Sequence, residues 1–304
     1  MAIGDIISAT DYNNIQTKIS NVMSTGSGNT GYGQPLNSSA ASVGNTVTKA
    51  QWDALRYDVY NALYHQTGSA PSINTVAIGD VIRYGAANPN FQYDTLANTA
   101  TSNRFNIGTG QFFTSALQSA SRTSSWSVGV QATATVSFNN ANEARWFFNS
   151  GGKIRFTSSR SGGASTAQNN AWSSLLSSSG TQVFGGNTPT INFYNLTSSY
   201  QTFYLVASSA PYSSNNYRLE ALCNVSNNSS GTATSLTFRI TWTDSYRDPD
   251  DIYGSPSRTA PNDIVDGTLS LSVDKLQASG DLQPSGTFAV VGPSASSISS
   301  ITGS

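Results

Sequence analysis

The chain has 304 residues, of which 10% are charged and 37% are hydrophobic, and its net charge is −1. The chain lacks the clustered basic excess that nucleic-acid binding or attachment to anionic lipid requires. Its single cysteine excludes an internal disulfide. No apolar run reaches the roughly 20 residues of a membrane span. Ser, Thr, Asn and Gly replace the missing charge, and 11% aromatic residues supply apolar area for a core, which predicts a folded protein with a neutral surface.

The first 72 residues carry a helical pattern. Apolar residues recur at helical spacing in two segments, each followed by glycine, and Thr48 with Gln51 forms a capping box before the second segment. Neither helix is expected to be stable alone at this length, so residues 1–72 are predicted to form a helical hairpin that docks on a partner or bundles with sister chains. The residues expected at this assembly interface are Tyr12, Ile15, Ile19, Trp52, Leu55 and Val59.

Residues 73–99 are interpreted as a connector, and from about residue 100 the pattern changes to strands and turns. The stretch "WSVGVQATATVSF" alternates apolar and polar residues, as in a strand with one buried face. A helix is predicted only at "QNNAWSSLLSSSG". Further strands are predicted at "TPTINFYNL", "YQTFYLVASS", "YRLEALCNVS", "TSLTFRITWTD", "GTLSLSVDKLQA" and "GTFAVVGP".

Strands of this number and spacing predict an antiparallel, jelly-roll-like β-sandwich over residues 100–292. The predicted fold class is therefore mainly β, with a small α part at the N-terminus formed by the helical hairpin. Residues 293–304 carry no turn or core signal, and we expect them to be flexible or docked on a partner.

The stretch "RWFFNSGGKIRF" is predicted to be a β-hairpin, because two β-prone runs flank the turn residues Asn-Ser-Gly-Gly. In such a hairpin Trp146 and Phe148 face the core, while Phe147 lies on the opposite side with Arg145. Aromatic residues and arginine are enriched at interfaces. Phe147 is therefore added to the residues expected at the assembly interface.

No arrangement of residues predicts catalysis or a cofactor. His65 lies near the end of the second predicted helix and Cys223 in a predicted strand, with no motif around either. The acidic stretch "DSYRDPDDIYG" offers oxygen ligands for Ca²⁺, but its spacing is not that of an EF-hand and Arg247 lies within it. A turn with solvated aspartates is favoured, and a Ca²⁺ site there stays open. We therefore predict no catalytic, cofactor-binding or metal-binding residues and no enzyme activity.

Sugar binding is the ligand chemistry that the residue pattern supports best, as the alternative to a purely structural role. The stretch "WTDSYRDPDDIYG" combines aromatic rings, which stack on sugars, with side chains that hydrogen bond to sugar hydroxyls. Trp242, Tyr246 and Asp248 are the possible contacts with a host surface glycan. However, Trp242 alternates with Phe238 and Ile240 on one strand face, which favours a place in the core.

The stretch "EARWFFNSGGKIRFT", followed by "QNNAWSSLL" and "GTQVFGG", resembles a set of tailed-phage virion proteins, especially from marine and cyanobacterial myophages. These share a segment of the form aromatic-Phe-Asn-x-Gly-Gly-x-Ile-Arg, and "IISATDYNNIQTKI" resembles their N-terminal segments. The resemblance covers about residues 1–66 and 126–186. It implies a structural place in a virion and no reaction, and it supplies no catalytic positions.

Resemblance and composition together predict a non-enzymatic virion protein of an external neck or tail appendage, such as a fibre, a fibre-attachment piece or a decoration protein. The start "MAIGDIISATDYNN" lacks the features of a signal peptide, so we expect synthesis in the host cytoplasm and a final place in the virion. The expected partners are sister copies, preferably in a homotrimer, and other neck or tail proteins, without nucleic acid or membrane. The alternative is a receptor-binding module that recognises host glycan through its C-terminal loops.

Overall fold

The computed structural model describes residues 9–73, 75–77, 93–247, 264–279, 282–283, 286–288 and 290–304. The first part of the chain is helical, and the predicted capping box of Thr48 and Gln51 starts its second helix. A third helix lies in the predicted connector and packs against the first two, so the two predicted helices belong to a three-helix unit. Residues 78–92 of that connector lie outside the described residues. The helices are α1 (Ala9–Met23), α2 (Lys49–Thr67) and α3 (Tyr93–Ser102).

The second part of the chain is built mainly from antiparallel strands. Its first half also holds two helices, α4 (Ala141–Asn149) and α5 (Ala167–Ser179), of which α5 matches the predicted helix. The strands are β1 (Phe112–Arg122), β2 (Gly129–Ser137), β3 (Lys153–Ser161), β4 (Thr181–Gly185), β5 (Gln201–Ala207), β6 (Asn216–Cys223), β7 (Ser235–Thr243), β8 (Thr268–Ala278), β9 (Leu282–Gln283), β10 (Gly286–Thr287), β11 (Ala295–Ile298) and β12 (Thr302–Gly303).

Two sheets form the sandwich. One has the strand order β1-β8-β3-β4, and the other has the order β11-β2-β7-β6-β5 with β12 also paired to β2. The short strands β9 and β10 pair with each other. The predicted fold class is confirmed: the chain is mainly β, with antiparallel sheets preceded by helices.

The main core lies between the sheets. The ring of Phe238 on β7 is 4.9 Å from that of Phe156 on β3 and 5.3 Å from that of Phe184 on β4. Along β2 the predicted alternation is present, because Val130 and Val136 are buried while the polar residues between them are more exposed. Burying one such large apolar side chain contributes roughly 1.5–3 kcal/mol, so these contacts hold the two sheets together.

The prediction of a β-hairpin at "RWFFNSGGKIRF" is wrong. Its first half is α4, and only the second half, β3, is a strand. Asn140 caps α4 by accepting a hydrogen bond from the backbone N–H of Glu143 at 3.0 Å, and this cap starts a helix through residues that are individually β-prone. The stretch "TPTINFYNL" is likewise no strand, since it contains a short 3₁₀ helix at Phe193–Asn195.

The C-terminal residues 293–304, expected to be flexible or docked on a partner, pair with their own chain. Ile298 lies opposite Ala134 and Thr302 opposite Gln131 on β2. Arg122 holds the end of the segment by donating to the carbonyl of Gly303 at 3.2 Å. The segment has few apolar residues and is held instead by backbone hydrogen bonds to β2. A pattern of apolar residues therefore does not reveal it.

Within the described ranges, no helix combines the length and the apolar character needed to cross a membrane.

Candidate functional site

The residues of α1 and α2 that were expected at an assembly interface lie inside the chain. Tyr12 contacts Trp52 edge to face at 5.2 Å, and Trp52 contacts Tyr93 of α3 at the same ring separation. The helix α3 thus supplies the cover that was expected from a sister chain. No member of the set is more than 4% exposed: Tyr12, Ile15, Ile19, Trp52, Leu55 and Val59.

The remaining outer side of α2 is aromatic. Tyr57, Tyr60 and Tyr64 recur at helical spacing and are half-buried. The rings of Tyr60 and Tyr64 are stacked 5.9 Å apart with their planes at 13°, and the Arg56 guanidinium lies 4.7 Å over the Tyr57 ring. We call Tyr57, Tyr60 and Tyr64 the tyrosine face. The spacing was visible in the sequence, but the apolar pattern of α2 drew attention to the opposite side.

Phe147, the last residue expected at an interface, is fully buried. Its ring lies 5.5 Å from that of Phe138 and 5.0 Å from that of Phe148. The prediction that it lies on the side away from the core is wrong because it assumed a strand, in which neighbouring side chains point to opposite sides. On α4 both Phe147 and Phe148 reach the core.

The other side of α4 holds the loop of residues 25–31, which follows α1. Asn149 Nδ2 donates to the carbonyl oxygens of Thr30 and Gly31, each at 3.0 Å. The Trp146 indole N–H donates to the carbonyl of Thr25 at 2.9 Å. Two further side chains reach the carbonyl of Gly28, and the whole set joins the helical unit to the β-sandwich. We call this set the α4 clamp: Arg145, Trp146, Asn149 and Tyr194.

Burial raises the pKa of Tyr194, which keeps its hydroxyl protonated and able to donate. That hydroxyl lies 3.0 Å from the carbonyl oxygen of Gly28 and also contacts Asn149 Oδ1. Asn149 is fully buried, so both the donor and the acceptor of its side-chain amide form their hydrogen bonds away from water. A substitution that keeps the shape of Asn149 but changes its hydrogen-bonding groups should therefore weaken the α4 clamp.

Of the three residues expected to contact a glycan, Trp242 is fully buried and its ring stacks on that of Tyr217 at 5.9 Å. This removes Trp242 from any glycan contact and agrees with its alternation along the strand. Tyr246 is half-buried, and its ring lies 4.4 Å from that of Tyr212 in the loop between β5 and β6. Asp248 lies outside the described residues.

The pairing of Tyr246 with Tyr212 depends on Asn215. The Asn215 side-chain oxygen accepts the backbone N–H groups of Ser245 and Tyr246, each at 2.8 Å. This connection fixes the end of β7 against the loop that carries Tyr212. The stretch around Tyr212, "SSAPYSSNN", has no distinguishing pattern, so only the fold reveals the pair.

Asp244, in the stretch expected to be a turn with solvated aspartates, is 1% exposed. Gln168 Nε2 of α5 donates to its Oδ2. Burial raises the pKa of Asp244 to about 6 from an ordinary 3.8, although the polar groups of Gln168, Trp172 and Asn215 lower it. In the part of the chain that the structure describes, no group of three or more His, Cys, Asp or Glu is placed to hold a metal ion.

His65 and Cys223 do not form a catalytic pair. His65 Nε2 donates to the carbonyl of Ser150 at 2.7 Å, its ring stacks on Phe288 at 4.1 Å, and burial lowers its pKa to about 4. Cys223 is buried with its Sγ 3.3 Å from the carbonyl oxygen of Val225, and burial raises the pKa of the thiol. A raised thiol pKa disfavours the nucleophilic thiolate.

A scan against protein-family models, a search of curated proteins and a search of solved structures each found no match. Because a sandwich architecture serves many unrelated functions, the function is argued from the residues and their contacts.

Proposed function

We propose that this chain is a non-enzymatic structural protein of a tailed-phage virion, where copies of it form an external neck or tail appendage. The observation that carries the proposal is the structural role of the segment "WFFNSGGKIR", in which the resemblance to virion proteins is concentrated. Its residues join the helical unit, the sandwich core and the sheet of β3 into one body. A segment that holds the parts of the chain together is what a structural protein of a particle needs in order to keep its shape.

Each part of that segment has a structural contact. Asn149 belongs to the α4 clamp, and Ile154 is fully buried in the core. Gly151 has φ 90°, and a side chain at Gly152 would collide with the carbonyl oxygen of Phe147, so glycine is required at both positions. Arg155 pairs with Asp274 of β8 at 2.8 Å.

The low charge of the chain supports repeated close packing of copies. With 10% charged residues and a net charge of −1, neighbouring copies bring few ions out of water when they meet. Hydroxyl and amide groups form hydrogen bonds across an interface without the desolvation penalty of buried ions. This favours sister copies and other neck or tail proteins as partners. A homotrimer is the preferred state by analogy with fibres.

The tyrosine face is the surface that we assign to contact with a second copy. Lys49 and Asp53 pair within α2, and Arg56 lies over Tyr57 and 3.5 Å from the carbonyl of Ile73. Lys49 and Asp53 thus neutralise each other, and the Arg56 guanidinium is held against the Tyr57 ring, where it can contribute to an interface together with the tyrosines. Tyrosine and arginine are also the residues that dominate binding energy at interfaces.

Light scattering of the full-length chain tests this assignment. We expect the wild-type chain to form an oligomer, preferably of three copies, and the double variant Tyr57→Ser, Tyr64→Ser to be a monomer with an unchanged circular dichroism spectrum. The matched control is Val43→Ser, since Val43 is 84% exposed and its replacement should leave the mass unchanged. A double variant that keeps the wild-type mass contradicts the assignment, as does a monomeric wild-type chain.

A receptor-binding module is the second candidate function. The observation that favours it is the pair of half-buried rings of Tyr212 and Tyr246, 4.4 Å apart and held in place through Asn215. Adjacent aromatic rings at the end of a sandwich form a surface on which a sugar ring can stack. In this candidate function the pair contacts a host surface glycan.

A further inference from the structure

Asp244 connects four parts of the sandwich. Its backbone N–H donates to the carbonyl of Val128, next to β2, at 2.9 Å. Its side-chain Oδ2 accepts a hydrogen bond from Gln168 of α5. Trp172, one turn further along α5, Asn215, after β5, and the backbone N–H of Tyr246 lie close enough to lower its pKa. The side chains of Asp244, Gln168, Trp172 and Asn215 are each about 1% exposed, so solvent does not complete their hydrogen bonds.

The hydrogen bonds of this group are incomplete if Asp244 is ionised. Gln168 Nε2 donates to Asp244 Oδ2, but Asp244 Oδ1 and Gln168 Oε1 have no hydrogen-bond partner. A carboxylate accepts hydrogen bonds and donates none, so the ionised form leaves Gln168 Oε1 without a donor. The indole N–H of Trp172 and Asn215 Nδ2 lie close to the Asp244 carboxyl and favour its ionised form, but neither makes a hydrogen bond of normal geometry to Oδ1, and the backbone N–H of Tyr246 is donated to Asn215 Oδ1 at 2.8 Å. Leaving buried acceptors without a donor is unfavourable.

We propose that Asp244 is held as the neutral acid, with its proton on Oδ1 donated to Gln168 Oε1 in a cyclic acid–amide pair, and that loss of this proton to solvent releases the first turn of α5. One proton supplies a donor between the two oxygens that lack one, while the existing bond from Gln168 Nε2 to Asp244 Oδ2 is retained. The indole N–H of Trp172 and Asn215 Nδ2, which make no hydrogen bond of normal geometry, face a neutral group in this state.

In the described residues of the elements that pack against Asp244, no cation is placed to compensate its ionised form. Among the described residues, α5 has no charged side chain, the loop between β5 and β6 contributes Tyr212, and the segment after β7 contributes Tyr246 and the exposed Arg247. The ion pair beside the first turn of α5 is used elsewhere, since Arg160 donates to Asp266 at 3.2 Å. Burial accordingly dominates and raises the pKa of Asp244 to about 6.

The first turn of α5 is the part that this proton controls. Gln168 binds Asp244, while the next residue, Asn169, donates its amide to Asp266, just before β8, at 2.5 Å. The turn therefore fastens the end of β7 and the start of β8 at once. Ionisation of Asp244 removes the hydrogen bond to Gln168 Oε1 from the first of these attachments and leaves the second in place.

The sign of the effect distinguishes Asp244 from ordinary carboxylates. Because its folded pKa of about 6 lies above the ordinary 3.8, the folded chain binds more protons between these values, and stability falls as pH rises through this window. His65 acts in the opposite direction, since its pKa is lowered to about 4 and stability falls as pH decreases from 6.5. A variant that changes Asp244 alone separates the two.

Asp244→Asn in the full-length chain is the test, because an asparagine amide forms the same cyclic pair with Gln168 and does not titrate. Between pH 4 and pH 7 we expect the unfolding equilibrium constant of the wild-type chain to rise about a hundredfold relative to that of D244N, which corresponds to roughly two pKa units. At pH 7.5 the amides of the first turn of α5 should exchange hydrogen faster in the wild-type chain than in D244N.

Asp266→Asn is the matched control of opposite sign. The backbone N–H of Ala164, Asn169 and Arg160 lower the pKa of Asp266, so D266N should lose stability relative to the wild-type chain above pH 4. If D244N fails to fold, the ¹³C chemical shift of the Asp244 carboxyl in the wild-type chain decides by itself. Titration near 3.8, or an equal loss of stability in D244N at every pH, overturns the proposal.

Discussion

Trp242→Ala is expected to lower the free energy of unfolding by about 3–5 kcal/mol. Trp242 is fully buried on β7, and its ring stacks on Tyr217 of β6 at 5.9 Å. Removing the indole leaves a cavity beside the Tyr217 ring. Because β6 and β7 are hydrogen bonded to each other, the cavity can close only if both strands shift. Urea unfolding followed by circular dichroism measures the loss, and the variant chain should be partly unfolded at physiological temperature.

Tyr246→Ala is the matched comparison, because it removes an aromatic ring three residues after the end of β7 from a half-buried position. We expect a loss below about 1 kcal/mol, since the ring that is removed is only half-buried. A W242A chain as stable as the wild-type chain contradicts the place of Trp242 in the core. Host-cell binding that Y246A abolishes without unfolding favours the receptor-binding module, whereas unchanged binding removes its main support.

Asn149→Asp is expected to lower the free energy of unfolding by about 3–5 kcal/mol or to prevent folding. The two side chains have nearly the same shape, but the substitution replaces the amide donors to Thr30 and Gly31 by carboxylate oxygen. A fully buried negative charge then faces two carbonyl oxygens. The helical unit should detach from the sandwich first, which limited proteolysis at residues 25–31 detects.

Asn142→Asp makes the same chemical change on the same helix at an exposed position. Asn142 Oδ1 accepts from Arg145 Nη2 at 2.7 Å, so a carboxylate there retains an acceptor and gains attraction to the guanidinium. We expect stability equal to or slightly above that of the wild-type chain. Equal stability of N149D and N142D would mean that the α4 clamp does not hold the two parts together.

Local patterns predicted the elements whose own residues determine their conformation. The alternation along β2 and the capping box of Thr48 and Gln51 each correspond to an element of the structure. In "RWFFNSGG" the same local reasoning failed, because so short a stretch fits either period and the cap at Asn140, which decides for a helix, precedes the aromatic run. The helix-capping residue was thus present in the sequence but lay before the stretch that predicted a hairpin.

Tertiary contacts account for the other differences. The strand β11 has the sequence Ala-Ser-Ser-Ile and β12 the sequence Thr-Gly, and they are strands because the edge of β2 offers hydrogen-bond partners. The apolar sides of α1 and α2 were recognised correctly as requiring a cover, yet a pattern cannot state whether the cover is α3 or a sister chain. The pairs Tyr212–Tyr246 and Gln168–Asp244 join residues distant in sequence, so their chemistry emerges only from the fold.

The most direct measurement is immunogold electron microscopy, with antibodies against this chain, of phage particles purified on a density gradient from a lysate that contains it. We predict gold label at the neck or tail of the particles and peptides of the chain in their mass spectrum. Particles that carry neither the label nor the peptides, while the chain remains in the soluble fraction of the same lysate, contradict the proposed place in the virion.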